Sequence, residues 1–360
     1  MEIIHETILE VNINRLKSNF NYLKGKLKAK TKIIAVMKAY AYGHGDIILA
    51  KKLEEIGVHA LWVADFEEGS RLRESGIHIP IIIANPGTKS TKKIIDNKLD
   101  VVIYNFKLLQ LYGGLNKEIC IHIKFNTGMN RYGFNPDERE LLAKALLKYP
   151  KLKLQSICSH LAATENPKKD EFTNKQFLVF DVICTAFFRE LGYEVDRHIL
   201  NTNGVLRFEK NECEMVRLGI GLYGVADDNH LQQIGTLKSV VTQVRKITQG
   251  NQIGYNASFV ASTDMQIGII PFGYADGLNR KLSAKNGVVI INNTPCPIIG
   301  KISMDSCIVD LSHIAAKAGD EVIIFGKENT VLSIAKKLDT IPYEIFATLN
   351  RRIKRVYADY

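Results

Sequence analysis

No stretch of this sequence is apolar for long enough to cross a bilayer. Its most apolar runs, 79–84 and 288–291, fall far short of the roughly 20 residues that a spanning helix needs. The first ten residues carry Glu2, His5, Glu6 and Glu10, with no basic start and no apolar segment after it. A secretory signal is therefore not expected, and a cytoplasmic location is. Cys120, Cys158, Cys184, Cys213, Cys296 and Cys307 are scattered without a CxxC pair. That argues against a zinc site or a disulfide framework and for buried free thiols in a reducing compartment. No metal site is expected. There is no HExxH helix, no GxSxG elbow and no paired-carboxylate set, which removes zinc proteases, α/β-hydrolases and glycosidases.

What is present is long and ordinary in composition. The chain has 360 residues, 46% of them hydrophobic and 24% charged, as in a soluble globular protein. That length suits one large α/β barrel with a modest second domain, or two to three average domains. Lys plus Arg exceed Asp plus Glu by 48 − 38 = 10. A basic excess of this size attracts anions or merely solvates the surface.

From residue 11 onward, helical and strand patterns alternate. Ile13, Leu16, Phe20, Leu23 and Leu27 recur at three- and four-residue steps, one face of a helix. Apolar strand-like runs follow at 32–37, 60–64, 79–83, 100–104, 118–125, 153–159, 198–201 and 214–218, nearly all separated by helical patterns. Strands buried on both faces fit a parallel sheet. Eight βα units point to a closed (β/α)8 barrel of the TIM type, with a doubly wound open sheet as the rival. After residue 230 the pattern becomes β-rich, with strands expected at 237–247, 266–271, 287–292, 297–311 and 320–325 and a helix only at 332–338. The domain boundary is placed there: 11–229 form the barrel, and 1–10 with 230–360 form a mainly-β domain.

A barrel holds its site at the C-terminal ends of the strands. Lys38 follows the first run directly. Such a lysine is either snorkelling at a strand end or, with its pKa depressed, a Schiff-base nucleophile or base. Lys124 and Arg131 follow the fifth run, and His160 the sixth. Asn201 and Thr202 follow the seventh. Arg217, Gly219 and Ile220 follow the eighth, where hydroxyl and backbone N–H groups suit a phosphate. A lysine and a phosphate cradle on one barrel indicate pyridoxal phosphate (PLP) or a Schiff-base aldolase acting on a sugar phosphate.

The motifs AVMKAYAYGHG (35–45), KFNTGMNRYGF (124–134), SHLAATE (159–165), HILNTNG (198–204), VRLGIGLYG (216–224), IGYNASF (253–259), PFGYADGLNR (271–280), GKISMDS (300–306) and TIPYEIFATLNRR (340–352) stand in this order along the chain. Together they resemble the alanine racemases. The resemblance implies a PLP barrel, a C-terminal β domain that includes the first strand, and a homodimer with shared active sites. By it, Lys38 bonds the cofactor and is one base, and Tyr255 of the other subunit is the second. His160 contacts that tyrosine, and Arg217 faces the pyridine nitrogen. Tyr42, Asn201, Thr202, Gly219, Ile220 and Tyr343 bind the cofactor, mostly at its phosphate. Arg131 and Met304 meet the substrate carboxylate, Tyr274 and Asp305 line the substrate path, and Lys124 matches a lysine often carbamylated in that family. Asn126 stands where many members have Asp, and Thr202 where Ser is commoner. The implied reaction interconverts L- and D-alanine, supplying peptidoglycan synthesis, with a serine-preferring racemase as the runner-up. The glycine-triplet loop of the fold-related decarboxylases is absent. The terminal basic run at 351–355 lacks the interleaved aromatics of a nucleic-acid platform, so neither nucleic acid nor membrane is expected as a partner.

Overall fold

The computed structural model describes residues 4–359. Its first sheet is made of Lys32–Val36, Ala60–Val63, Ile81–Ile83, Asp100–Ile103, Ile119–Lys124, Leu152–Cys158, Asp196–His198 and Met215–Leu218. From the second to the seventh, each pairs in parallel with the strand before it, and the eighth pairs in parallel with the first. The remaining seam, between the seventh and eighth strands, is bridged by the Arg217 N–H donating to Leu200 O at 3.0 Å. The sheet thus closes into a barrel, and the open-sheet alternative falls.

Alternation along the strands explains their composition. Ile34, Ala60, Trp62, Ile82, Val102 and Met215 pack inside the barrel. Ile33, Ala35, Leu61, Val63, Ile81 and Ile83 face the surrounding helices. Both faces are dry, so the runs read as continuously apolar. Side-chain caps start the helices: Asn12 accepts from Arg15 N–H ahead of Ile13–Gly25, and Asp65 accepts from Glu67 and Glu68 N–H ahead of Phe66–Glu74. The longest helix, Asp170–Leu191, ends at Gly192 in the left-handed region, with φ 80°.

The second sheet has nine strands, in the order Gln243–Ile247, Met265–Ile270, Cys307–Asp310, Thr294–Ile299, Val288–Ile291, Glu321–Phe325, Gly235–Val240, Ile8–Asn12 and Lys354–Ala358. The early strand Ile8–Asn12 lies between two late ones, antiparallel to Gly235–Val240 and parallel to Lys354–Ala358. Residues 1–3 and 360 of the expected β domain lie outside the described residues.

Several expected elements differ. The run 237–247 is two strands, because Val241 N–H turns to Asp320 O and Thr242 N–H to Ile269 O, handing the chain from one neighbour to another. The run 297–311 breaks at Gly300, with φ 62°, into a loop that presents Met304 and Asp305. A second late helix, Pro342–Ala347, was not expected. Its proline sits in the first turn, where a missing N–H costs nothing. The terminal basic run holds a strand. There Arg355 is buried and donates to the carbonyls of Gly43, Leu349, Asn350 and Ile353. All six cysteines are free, although Cys120 and Cys213 are only half-buried. Among the described residues no helix is long and apolar enough to cross a membrane, and no cluster of His, Cys, Asp and Glu could hold a metal.

Candidate active site

The loop after the first barrel strand takes an uncommon path. Ala39, Tyr40, Ala41 and Tyr42 follow Lys38 with φ of 55°, 57°, 53° and 48°, a full turn in the left-handed region. L-residues disfavour it by roughly 1–2 kcal/mol each. Glu68 braces the turn. Its carboxylate accepts from Ala39 N–H at 2.7 Å and from Ala64 N–H at 2.8 Å. Charged hydrogen bonds of about 1.5–3 kcal/mol each are of the size needed. His44 closes the turn from behind: its buried ring donates from Nδ1 to Tyr42 O at 2.8 Å. Burial pulls its pKa down to about 4, so the ring stays neutral. Gly43 is required here, since a Cβ would lie 2.0 Å from Phe346 O of the second unit.

This turn delivers Lys38 to a cavity of about 320 Å³ at the C-terminal mouth of the barrel. Burial, then the nearby Arg131 charge, lowers the Lys38 pKa, against an opposing pull from Glu68. A lysine so placed has more free amine at neutral pH than an exposed one. Lys124 lines the same cavity, and burial pulls it down to about 8.

Arg217 lies buried at the cavity's base. Its Nη1 donates to His198 Nδ1, and its Nη2 donates to Ser159 O at 2.6 Å and reaches His160 Nδ1 at 3.3 Å. A guanidinium only donates, so Nδ1 of both imidazoles is a lone pair and the proton sits on Nε2. Burial and the Arg217 charge hold both histidines far below their usual range, hence neutral.

The opposite wall is rich in donors. Thr202 Oγ1 accepts from Gly219 N–H at 3.0 Å and from Gly221 N–H at 3.3 Å, drawing the two segments together. Asn201 caps the following short helix through Gly204 N–H. Tyr42 packs edge-on against Tyr343, their ring centres 5.6 Å apart. Burial pushes Tyr343 up to about 12 and Tyr42 higher, so both phenols keep their protons. Protonated phenols, a threonine hydroxyl and backbone amides are what a phosphate dianion requires. With a lysine of lowered pKa across the cavity, the residues present fit pyridoxal phosphate.

The barrel residues expected at the site, together with Tyr343, line this one cavity. The other four do not. Tyr255 is 69% exposed on a short turn between Gln252–Ile253 and Phe259–Val260, and Met304 is 54% exposed. Asp305 pairs with Arg352 at 2.7 Å. Tyr274 borders a separate apolar cavity of about 310 Å³. All four sit on the second unit and face outward.

Trp62, Ala64, Ala84 and Asn85 also line the cavity and were missed. The rule that found the others, reading the residues at strand ends, reaches Ala64, Ala84 and Asn85 when applied to the second and third strands. Asn126, the departure from Asp, organises its own loop. Its Oδ1 accepts from Gly128 and Asn130 N–H while its Nδ2 donates to Asn130 Oδ1, the last being a bond no carboxylate could make.

Comparison with known proteins agrees with this geometry. A family described as "Alanine racemase, N-terminal domain" matches residues 11–227, and "Alanine racemase, C-terminal domain" matches 234–357. The alanine racemase of Helicobacter pylori strain J99 is 32% identical over 374 residues, covering 98% of each chain. The alanine racemase structure from Clostridium difficile 630 superposes with a TM-score of 0.94 at 32% identity, covering 99% of this chain and 97% of that one. That of Bartonella henselae, which holds covalently bound pyridoxal phosphate, gives 0.89 at 29% identity over 98% of this chain and all (100%) of its own. The resemblance read from the motifs is thereby borne out, as are the barrel and the mainly-β unit.

Proposed function

Because the chain belongs to the alanine racemase family, we propose that Lys38 and the partner subunit's Tyr255 are the two bases of its reaction. That reaction is the interconversion of L- and D-alanine with pyridoxal phosphate as cofactor. When bound, the cofactor supplies an electron sink that acidifies the Cα–H of the amino acid joined to it. Racemisation removes a proton from one face of Cα and returns one to the other, so two bases must flank it. Lys38 Nζ serves one face, since its lowered pKa leaves it able to take a proton. Tyr255 serves the other. Its exposure on the second unit suits a side chain that completes a neighbour's site rather than its own.

His160 presents Nε2–H toward the phenol and stabilises its anion. Arg217 faces the pyridine nitrogen as a donor that keeps its own proton, and this favours prompt return of the proton at Cα over transamination. Tyr42, Asn201, Thr202, Gly219, Ile220 and Tyr343 hold the cofactor. Arg131 and the partner subunit's Met304 hold the substrate carboxylate, while Tyr274 and Asp305 line its path. Lys124, carbamylated, orients Arg131. We further assign residues 11–229 to the catalytic barrel, and 1–10 with 230–360 to the domain that reaches the partner. The working form is a cytoplasmic homodimer that supplies D-alanine for peptidoglycan.

The observation that carries this reading is one cavity joining a lysine of lowered pKa, a donor-rich wall and a buried arginine. Chiral chromatography of the PLP-loaded protein with L-alanine, and separately with L-serine, tests it. Rapid D-alanine with slow D-serine is expected. Fast D-serine would move the substrate, and no D-product from either would withdraw the reaction.

A further inference from the structure

Among the apolar side chains inside the barrel runs a file of polar ones leading away from the cavity. It begins at Arg217, whose Nη1 donates to His198 Nδ1. His198 Nε2 lies 2.9 Å from Ser156 Oγ, and Ser156 Oγ lies 2.6 Å from His122 Nδ1. His122 Nε2 then reaches Asp100 Oδ2 at 3.5 Å. Asp100 opens its strand, Asp100–Ile103, so the file ends at the mouth of the barrel opposite the cavity. Ser156 and both histidines are buried.

The two ends decide the direction of every bond between them. A guanidinium only donates and a carboxylate only accepts. With Arg217 donating to Nδ1, neutral His198 holds its proton on Nε2 and donates to Ser156. The serine hydroxyl turns on to His122 Nδ1. His122 therefore holds its proton on Nε2, aimed at Asp100. All four links run the same way, from cation to carboxylate, and bonds aligned in this manner strengthen one another.

We propose that Asp100 is a positioning residue for Arg217: it fixes the tautomers of His122 and His198, so that a lone pair always faces the guanidinium. Without the carboxylate, His122 Nε2–H loses the acceptor it is aimed at. The file can then reverse, turning His198 Nδ1–H against the Arg217 N–H. The effect on the reaction rests on the reading of Arg217 as the partner of the cofactor nitrogen. The tautomers themselves do not.

Long-range 1H–15N correlation of the PLP-loaded protein, labelled at histidine, reads the tautomers directly. Wild type should show His198 with its proton on Nε2 and His122 with Nε2–H facing Asp100 and Nδ1 accepting from Ser156. Asp100→Leu, or Asp100→Ala should the leucine variant not fold, should move both toward Nδ1–H. The share of turnovers lost to transamination should rise about tenfold, the size of one hydrogen bond of about 1.4 kcal/mol. Asp100→Asn keeps an acceptor oxygen and should keep the tautomers. Ser156→Ala cuts the file, so adding Asp100→Leu to it should leave His198 unmoved. A His198 that stays Nε2–H when the carboxylate is gone would overturn the proposal. So would one that shifts equally with Ser156 absent. Shifted tautomers with unchanged transamination would uphold it and count instead against the role of Arg217 at the cofactor.

Discussion

Lys124 is the residue whose charge the fold treats most severely among the lysines at the site. Burial brings its pKa from the ordinary 10.5 to about 8. Between those two values the unfolded chain holds a proton there that the folded chain has released. Stability should therefore rise with pH across that window, and the folded state should carry the full penalty below it. Comparing urea unfolding of the cofactor-free wild type with Lys124→Met isolates the effect. The variant should lack the upward slope and be the more stable at pH 7. The same free amine attacks carbon dioxide, its lone pair bonding the carbon as the nitrogen gives up a proton. A carbamate signal from 13C-labelled bicarbonate should thus grow as pH rises toward 8, and should be absent from the variant. A flat stability difference would mean that water reaches Nζ more freely than its surroundings suggest.

At the scale of elements, the left-handed turn after the first strand depends on a carboxylate from a different βα unit. Glu68→Ala should release Ala39 and Ala64 N–H and destabilise the protein by about 2–4 kcal/mol. It should weaken cofactor retention more than Glu68→Gln, which still offers one acceptor. Dialysis against cofactor-free buffer and thermal unfolding of both variants check this. The Thr202 junction is equally exacting. A Cβ at Gly221 would meet Thr202 Cγ2 at 2.4 Å, so Gly221→Ala should raise the PLP dissociation constant about tenfold or more, read by titrating the apoprotein. These features also mark where sequence reading stops. Seven of the eight barrel strands are legible because apolar side chains fill them; the seventh, Asp196–His198, holds no Val, Ile or Leu and begins two residues before the apolar run expected at 198–201. The lysine and the residues after the last strands were legible because a barrel puts its chemistry there. Nothing in Ala39-Tyr40-Ala41-Tyr42 announces positive φ, because the cause is Glu68, almost thirty residues away. The division of 237–247 was hidden for a similar reason: an unbroken apolar run cannot tell which of two neighbours each half will pair with.

At the scale of the molecule, the expected site residues divide between a cavity in the barrel and an outward face of the second unit. The two-chain reading makes a sharp prediction. Lys38→Ala and Tyr255→Phe homodimers should each be strongly impaired. When they are unfolded and refolded together in equal amounts, half of the dimers are mixed, and each of those has one site with both bases. Activity should recover to about a quarter of wild type. No recovery, with mixed dimers demonstrated by native mass spectrometry, would place both bases within one chain.

The position of the Ile8–Asn12 strand has a consequence for how the protein is made. Leu9 and Val11 are fully buried, between strands that begin at Gly235 and Lys354. At about 5–20 residues per second, a ribosome needs roughly 11–45 seconds to travel from this strand to its first partner. For that interval an apolar strand with two unpaired edges waits on the nascent chain while the barrel assembles beside it. Trigger-factor-like or Hsp70-like holdases that favour short apolar segments should find their earliest binding site there. Synonymous changes that slow translation of the barrel should lower the soluble yield without altering a single contact in the finished fold.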